Sequence, residues 1–340
     1  MRAFQVVARG HGEVVDVDAP KAGPGQVVVD VARAGVCGTD VSIYYGDEAR
    51  LARNRLTYPI RLGHEWSGTV TELGEGVDPS WLGRRVTGDT LFGCGHCARC
   101  LDGRHHLCDD RYGIGVRRNS PGALAEKLLV PEVSLRALPD SVTDEQGAMV
   151  EPGANSYRAV EASGVGAGSL TLVLGSGNIG LLAAQFALAA GSEVHVIGID
   201  DDSVALARTL GVHGTWYRDQ LPARTWDAVI DATNSPDMPQ FARDTVEMGR
   251  TVVLIGVSAT ASMVDSRSVV HKELAVHGIL GGSLGLEQTI AAYASGAVDP
   301  RPLIAATVAL EQVPEVLEGR AKHTTGSGPK FLVDPRRILK

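Results

Sequence analysis

Between Leu170 and Asp200 the chain passes through a β-branched apolar run, a glycine-rich turn, a helix of small residues and a second apolar run ending in an acid. That order predicts strand, turn, helix, strand, the βαβ unit of a parallel sheet. The alternation continues downstream. Ser203 to Leu210 predicts a helix, Trp226 to Asp231 a strand, Met238 to Met248 a helix, and Thr251 to Val257 and Leu274 to Ile279 two further strands. Strands separated by helices in this way build a doubly wound sheet with right-handed crossovers.

Upstream of Leu138 the pattern is different. Short alternating runs, such as Gln26 to Ala32 and Ser67 to Leu73, are punctuated by Gly23-Pro24-Gly25 and by Gly74 to Pro79, as in a β-rich domain with irregular loops. Val142 to Gly164 predicts a helical lead into the parallel sheet. From Leu286 the pattern changes to one helix and a closing segment through Phe331, Leu332 and Val333, which is expected to return to the first domain. The expected division is therefore 1–150 with 286–340 as one domain, and 151–285 as the other.

Gly175, Gly177 and Gly180 form G-x-G-x-x-G, with Asn178 and Ile179 inside it. The first glycine permits a tight turn, the second lets backbone approach a pyrophosphate, and the third lets the helix pack against its strand. The helix N-terminus then offers free N–H groups to phosphate. Asp200, about twenty residues on, suits the two ribose hydroxyls of adenosine. Beside Asp200, Asp201 and Asp202 a 2′-phosphate would be repelled, and no arginine follows before Arg208, so NAD is favoured over NADP.

Composition narrows the class. The chain has 340 residues, 44% apolar and 21% charged, enough for two cores, and a formal charge of −8 that disfavours nucleic acid and anionic membrane surfaces. The N-terminus lacks the apolar centre of a signal peptide and the longest apolar stretch, Ile179 to Ala190, is too short to span a bilayer; a cytoplasmic protein is expected.

Five cysteines then need a chemistry compatible with a reducing compartment. Cys94, Cys97, Cys100 and Cys108 give four thiolates within one loop, which can close a tetrahedron around structural zinc. The rival is an iron–sulfur cluster, but in ferredoxins of that type the fourth cysteine follows after three residues and precedes proline, whereas Cys108 follows after seven and precedes Asp109. Cys37 stands alone in Cys37-Gly38-Thr39-Asp40, with Gly63-His64-Glu65 and Glu151-Pro152 downstream. Singly, each of these is most simply a structural residue; together they are ligand types of a zinc site with an open position.

With these motifs, followed by a late Lys272-Glu273-Leu274, the chain resembles the zinc-dependent medium-chain alcohol dehydrogenases, nearest in character to the polyol, sugar and threonine branch. The resemblance implies an α/β protein with a GroES-like β-rich catalytic domain and a Rossmann NAD-binding domain. It implies one catalytic and one structural zinc. Cys37 and His64 would hold the catalytic ion, with Glu65 a direct or exchangeable ligand and Glu151 binding directly or through water. Thr39 would take the substrate proton, and Asp40 would orient His64. Two positions depart from the family: Ser42 replaces a relay histidine, with Tyr44, Tyr45 or solvent as substitutes, and Gly153 replaces a larger apolar residue, which would enlarge the pocket.

Arg50, Arg53 and Arg55 lie between the ligand segments and are read either as solvated charges or as partners of an anionic substrate; Trp66 is read as pocket wall or core. The expected activity is NAD-linked interconversion of a secondary alcohol and a ketone on a polyol, sugar or aminocyclitol, by a homodimer or homotetramer acting on a small molecule. An L-threonine-type amino alcohol dehydrogenase is the alternative within the class. A zinc- and NAD-binding module without catalysis is the alternative outside it.

Overall fold

The computed structural model describes residues 1–338. The chain forms two compact units, one made of Met1–Glu151, Ile304–Gly326 and the segment from Lys330, the other of Pro152–Leu303 with Ser327–Pro329. The closing strand thus does rejoin the first unit, but the boundary lies at Leu303 rather than before Leu286. Residues 286–303 stay with the parallel sheet because the helix Leu286–Ser295 is committed there. Its Tyr293 stacks on Phe186 with ring centroids 6.4 Å apart, and Asp299 N–H donates to Gln185 Oε1 at 3.1 Å.

The first unit is built on the strand Gln26–Gly35, whose valines 27, 28, 29 and 31 are almost fully buried. It pairs antiparallel with Glu65–Leu73, with Lys127–Pro131 and with the closing strand Lys330–Val333. Arg85–Gly88 and Leu135–Ala137 extend the sheet on one side, and Ile304–Val308 runs parallel to the closing strand on the other. Trp66 is 1% exposed within this core, so its role is packing.

The second unit carries six parallel strands in the order Gly214–Trp216, Glu193–Ile197, Leu170–Leu174, Trp226–Asp231, Val246–Leu254, Ala275–Gly278. Numbered along the chain this is 3-2-1-4-5-6, the dinucleotide-binding order, with the reversal between Leu170–Leu174 and Trp226–Asp231. Two expectations shift. The helix from Met238 ends at Thr245, whose hydroxyl donates back to the Phe241 carbonyl at 2.9 Å, and the next strand starts at Val246 instead of Thr251. A bulge with Gly249 at φ +71° absorbs the extra residues. The predicted helical stretch from Val142 is two helices, Asp144–Ala148 and Val150–Ser163, the first capped by Thr143 with Gln146.

The fingerprint glycines behave as their spacing requires. A Cβ on Gly180 would lie 2.0 Å from the Gly175 carbonyl oxygen, so the helix Asn178–Ala189 can approach its strand only without that atom. We expect Gly180→Ala to cost about 1–3 kcal/mol in urea unfolding, because backbone rather than a flexible side chain must yield. Gly177→Ala, whose Cβ meets nothing within 4 Å, should stay within about 0.5 kcal/mol of the parent.

Candidate active site and metal centres

Strand pairing assembles the first cluster. Gly35 lies opposite Glu65 and Ala34 opposite Trp66, so the chain leaving one strand at Val36 and Cys37 meets the chain entering the other at His64 and Glu65. Ligand atoms of Cys37, His64 and Glu65 lie within 4.8 Å of one another, with His64 and Glu65 buried. Gly35 is obligatory here, since a Cβ would fall 1.9 Å from Glu65 Oε2. The His64 carbonyl is held by the Thr90 hydroxyl at 2.8 Å.

Asp40 is fully buried in the first turn of the helix Gly38–Tyr44. One carboxylate oxygen accepts from Cys37 N–H at 2.9 Å, and the other faces His64 Nδ1 at 3.5 Å. At that distance the two atoms make no hydrogen bond, but the carboxylate faces Nδ1, so Nε2 is the nitrogen left available to a metal. Burial alone would lower the His64 pKa, but the Asp40 carboxylate and the Cys37 sulfur outweigh it and hold it well above the ordinary imidazole value. A buried imidazole drawn toward a positive charge by its surroundings is a site suited to a cation, with a proton as the competitor. The Cys, His and carboxylate donor set fits zinc.

Sequence reasoning missed Lys330. Its ammonium donates to both carboxylate oxygens of Glu65, at 2.8 and 2.7 Å, and to the Val36 carbonyl at 2.9 Å, with 4% and 1% of the two side chains exposed. Burial would strip Lys330 of its proton; Glu65, aided by Cys37 and Asp40, overrides this and holds its pKa above the usual lysine value. Glu65 is therefore claimed by a cation of the chain itself, and metal coordination by it competes with that pair. The available signal was a lysine opening the otherwise apolar strand Lys330–Val333.

Glu151 stands in the first turn of the helix Val150–Ser163 and is not among the ligands that converge within 4.8 Å. Thr39 adjoins Asp40, and its Oγ1 lies 3.4 Å from Arg50 Nη1. Ser42 donates to the Gly38 carbonyl at 3.1 Å, within its own helix. Tyr44 does not substitute for the relay: its hydroxyl lies 2.8 Å from both the Gly10 carbonyl and Glu318, and burial and that carboxylate push its pKa to about 12. Nor does Gly153 open space. A Cβ there would meet the Tyr293 hydroxyl at 2.2 Å and the Thr289 methyl at 2.7 Å, so the expected enlargement is filled by the helix Leu286–Ser295.

The second cluster is the cysteine lobe. Sulfurs of Cys94 and Cys100 are 4.0 Å apart, of Cys97 and Cys100 3.5 Å, and of Cys97 and Cys108 3.7 Å. A tetrahedron with metal–sulfur bonds of ~2.3 Å has edges of about 3.8 Å, so the four thiols fit zinc. Backbone N–H groups of His96 and Cys97 draw the Cys94 pKa to about 6, while burial raises Cys100 to about 11. Gly93 lets the loop close, since a Cβ there would lie 2.3 Å from the Cys100 sulfur.

In the second unit the fingerprint turn follows Leu174, with Gly175 at φ +101° and Gly177 capping the helix. The Ile179 carbonyl accepts from Ser156 Oγ at 2.9 Å, and Asn178 Oδ1 is buried without a partner among the described residues. Asp200 caps the next helix through one oxygen, accepting from Ser203 N–H at 2.8 Å. Arg208 Nε donates to Thr215 Oγ1 at 2.9 Å.

Residues 23–140 match the alcohol dehydrogenase GroES-like domain, and residues 178–295 match the zinc-binding dehydrogenase domain. The L-threonine 3-dehydrogenase of Chelativorans sp. is 31% identical over 330 residues, covering 94% of each chain. The chain belongs to the zinc-dependent medium-chain dehydrogenase/reductase family. The L-threonine 3-dehydrogenase of Deinococcus deserti is 32% identical to this dehydrogenase over 306 residues, 86% of this chain and 87% of that one. Among solved structures, 2R,3R-butanediol dehydrogenase from Bacillus subtilis is 26% identical with a TM-score of 0.87, covering 98% and 99% of the two chains. Galactitol-1-phosphate dehydrogenase from Escherichia coli is also 26% identical with a TM-score of 0.87, covering 98% and 100%. The dehydrogenase thus has a GroES-like domain, an NAD(P)-binding Rossmann domain and two candidate zinc sites. Among the described residues no helix is long and apolar enough to cross a membrane.

Elemental analysis should find two zinc ions per chain, falling to one in Cys97→Ser. Lys330→Met should lower stability by about 3–5 kcal/mol in urea unfolding, the cost of leaving the Glu65 carboxylate buried without its cation. Adding Glu65→Gln to it should cost less than the sum of the two single changes, as expected for contacting residues.

Proposed function

We propose that this dehydrogenase interconverts a secondary alcohol and a ketone on a polyol, sugar or aminocyclitol with NAD, and that Cys37 and His64 hold its catalytic zinc. The observation that carries the proposal is the convergence of Cys37, His64 and Glu65 beside Asp40 and Thr39. When bound, zinc supplies Lewis acidity toward the substrate oxygen, and NAD accepts the hydride. The chain's own residues do the rest. Asp40 faces the ring of His64, and Lys330 restrains the carboxylate of Glu65. The Thr39 hydroxyl accepts the alcohol proton, with the exposed Tyr45 or solvent as the outer acceptor because Ser42 and Tyr44 are bonded elsewhere. Glu151 is assigned as a ligand that engages on binding, directly or through water.

The acidic end of the strand Glu193–Ile197 supports NAD over NADP. Asp200 keeps one carboxylate oxygen outside its helix cap, and Arg208 is turned to Thr215. A second substrate reading, an amino alcohol bearing a carboxylate, has support from the threonine dehydrogenases named above and from Arg50. The non-catalytic alternative has none, and the presence of Cys37, Thr39, His64 and Glu151 together argues against it. A homodimer or homotetramer in the cytoplasm completes the proposal, and light scattering tests the assembly.

Purified, zinc-loaded protein should form NADH with members of a panel of polyols, aldoses, aminocyclitols and L-threonine. Thr39→Val should lower kcat by about 10²–10⁴-fold, the usual worth of a positioned proton acceptor, without weakening NADH binding. Absence of NADH from every alcohol, on protein shown to hold zinc and bind NADH, would sink the assignment.

A further inference from the structure

The three arginines between the ligand segments are not equivalent. Arg53 and Arg55 are exposed, whereas the Arg50 side chain, on the helix Glu48–Asn54, is 19% exposed and turned toward Thr39. Arginine carries five N–H donors. Among the described residues, Arg50 has one hydrogen-bond partner, Thr39 Oγ1, at a long 3.4 Å, and its Nε is buried with none. Among the described residues the one carboxylate within 4.0 Å is Asp47, with Oδ2 3.8 Å from Nε, beyond hydrogen-bond reach; its other oxygen caps the helix by accepting from Arg50 N–H at 2.9 Å. Arg85 shows what a satisfied guanidinium in the same unit looks like, with Asp144 at 2.8 and 3.1 Å and the Val142 carbonyl at 2.7 Å.

A half-buried arginine whose Nε is sealed without a partner and whose one side-chain hydrogen bond among the described residues is long is poised for an anion from outside the chain, because a fork of N–H groups matches the two oxygens of a carboxylate or phosphate. We propose that Arg50 is an anion-recognition residue of the substrate site, and that the alcohol oxidised here carries a carboxylate or phosphate close to the carbinol carbon. This rests on the zinc dehydrogenase reading and on the place of Thr39 in it. A hydroxyl giving its proton to Thr39 lies within about 3.2 Å of Oγ1. An anion on the fork lies about 2.7–2.9 Å from a guanidinium nitrogen. With that nitrogen itself 3.4 Å from Oγ1, one short molecule spans both groups, and an acid one or two carbons from the carbinol fits. A neutral polyol leaves the guanidinium with only the 3.8 Å contact to Asp47 and the long one to Thr39.

The test uses zinc-loaded enzyme and charge-matched pairs: L-threonine and L-threoninamide, 3-hydroxybutyrate and its amide, an aldonate and its aldose, a hexitol phosphate and the free hexitol. In the parent, the anionic member should be preferred in kcat/KM, with carboxylate and phosphate pairs showing which anion is meant. Arg50→Ala should collapse that preference by about 10- to 100-fold, mainly through KM, and Arg50→Lys should recover part of it. A parent that turns over neutral members as well as anionic ones, or an Arg50→Ala that lowers both equally, overturns the proposal. Calorimetry with acetate and inorganic phosphate, on enzyme saturated with NADH, probes the anion site independently of turnover. Binding lost in Arg50→Ala supports the anion site even if the whole panel is inactive, an outcome that overturns the assigned reaction instead. Equal or absent binding in parent and variant overturns the anion site whatever the panel shows.

Discussion

The buried pair of Lys330 and Glu65 is the constraint on which the first unit depends. Two opposite charges removed from water are tolerable only in close, well-bonded contact, and removing either partner leaves the other stranded. Here the ammonium meets both carboxylate oxygens and the Val36 carbonyl, so one cation ties together three segments. The residues of the pair are 265 positions apart, and the closing strand must come back to the sheet for the pair to form. The same contact fixes Glu65 beside Cys37 and His64, and the missing Cβ of Gly35 is what lets the carboxylate lie across the strand. Fold closure and the candidate metal site share one interaction.

Charge balance explains why a divalent cation suits this place. Metal ligation requires Cys37 to give up its proton and His64 to be neutral, so with Glu65 and Asp40 the metal-bound site would set three negative charges against the single positive charge of Lys330. The two left over match the charge of zinc. Without the ion, the surroundings draw a proton onto His64, the direction its raised pKa records. The histidine therefore reports a deficit of positive charge rather than a catalytic acid, and proton and metal are alternative solutions to it.

What was legible in the sequence was what short-range pattern encodes. The parallel sheet followed from apolar runs and glycine spacing, the cysteine lobe from four thiols in one loop, and the closing strand from a final apolar run. The misplaced boundaries were tertiary in origin. Nothing local marks Leu286–Ser295 as belonging to the second unit, because the deciding contacts are Tyr293 on Phe186 and on the bare backbone of Gly153. The substitution at Gly153 read as an empty space when taken alone, whereas the tyrosine that occupies it arrives from far along the chain. The strand that begins at Val246 rather than Thr251 was hidden by the bulge at Gly249, since an alternation interrupted by extra residues no longer has period two. Lys330 escaped notice for a related reason: a lysine in a terminal strand reads as solvent-facing until its partner is known.

The division of labour between metal chemistry and substrate choice follows from where the residues sit. Cys37, His64 and Glu65 hang from paired strands, and Asp40 is sealed in the core, so any change there also disturbs the sheet or the buried charges. Arg50 is different. The helix Glu48–Asn54 that carries it has no fully buried residue, packs on the core through Leu51 and is held at its start by the Asp47 cap, so a change at Arg50 leaves the packing of Leu51 in place. A candidate metal site held by buried residues beside a short helix at the edge of the core would place selectivity where it can vary at little cost in stability. On that argument Arg50, rather than the candidate zinc ligands, is where the proposed preference for an anionic alcohol can vary without disturbing the metal site.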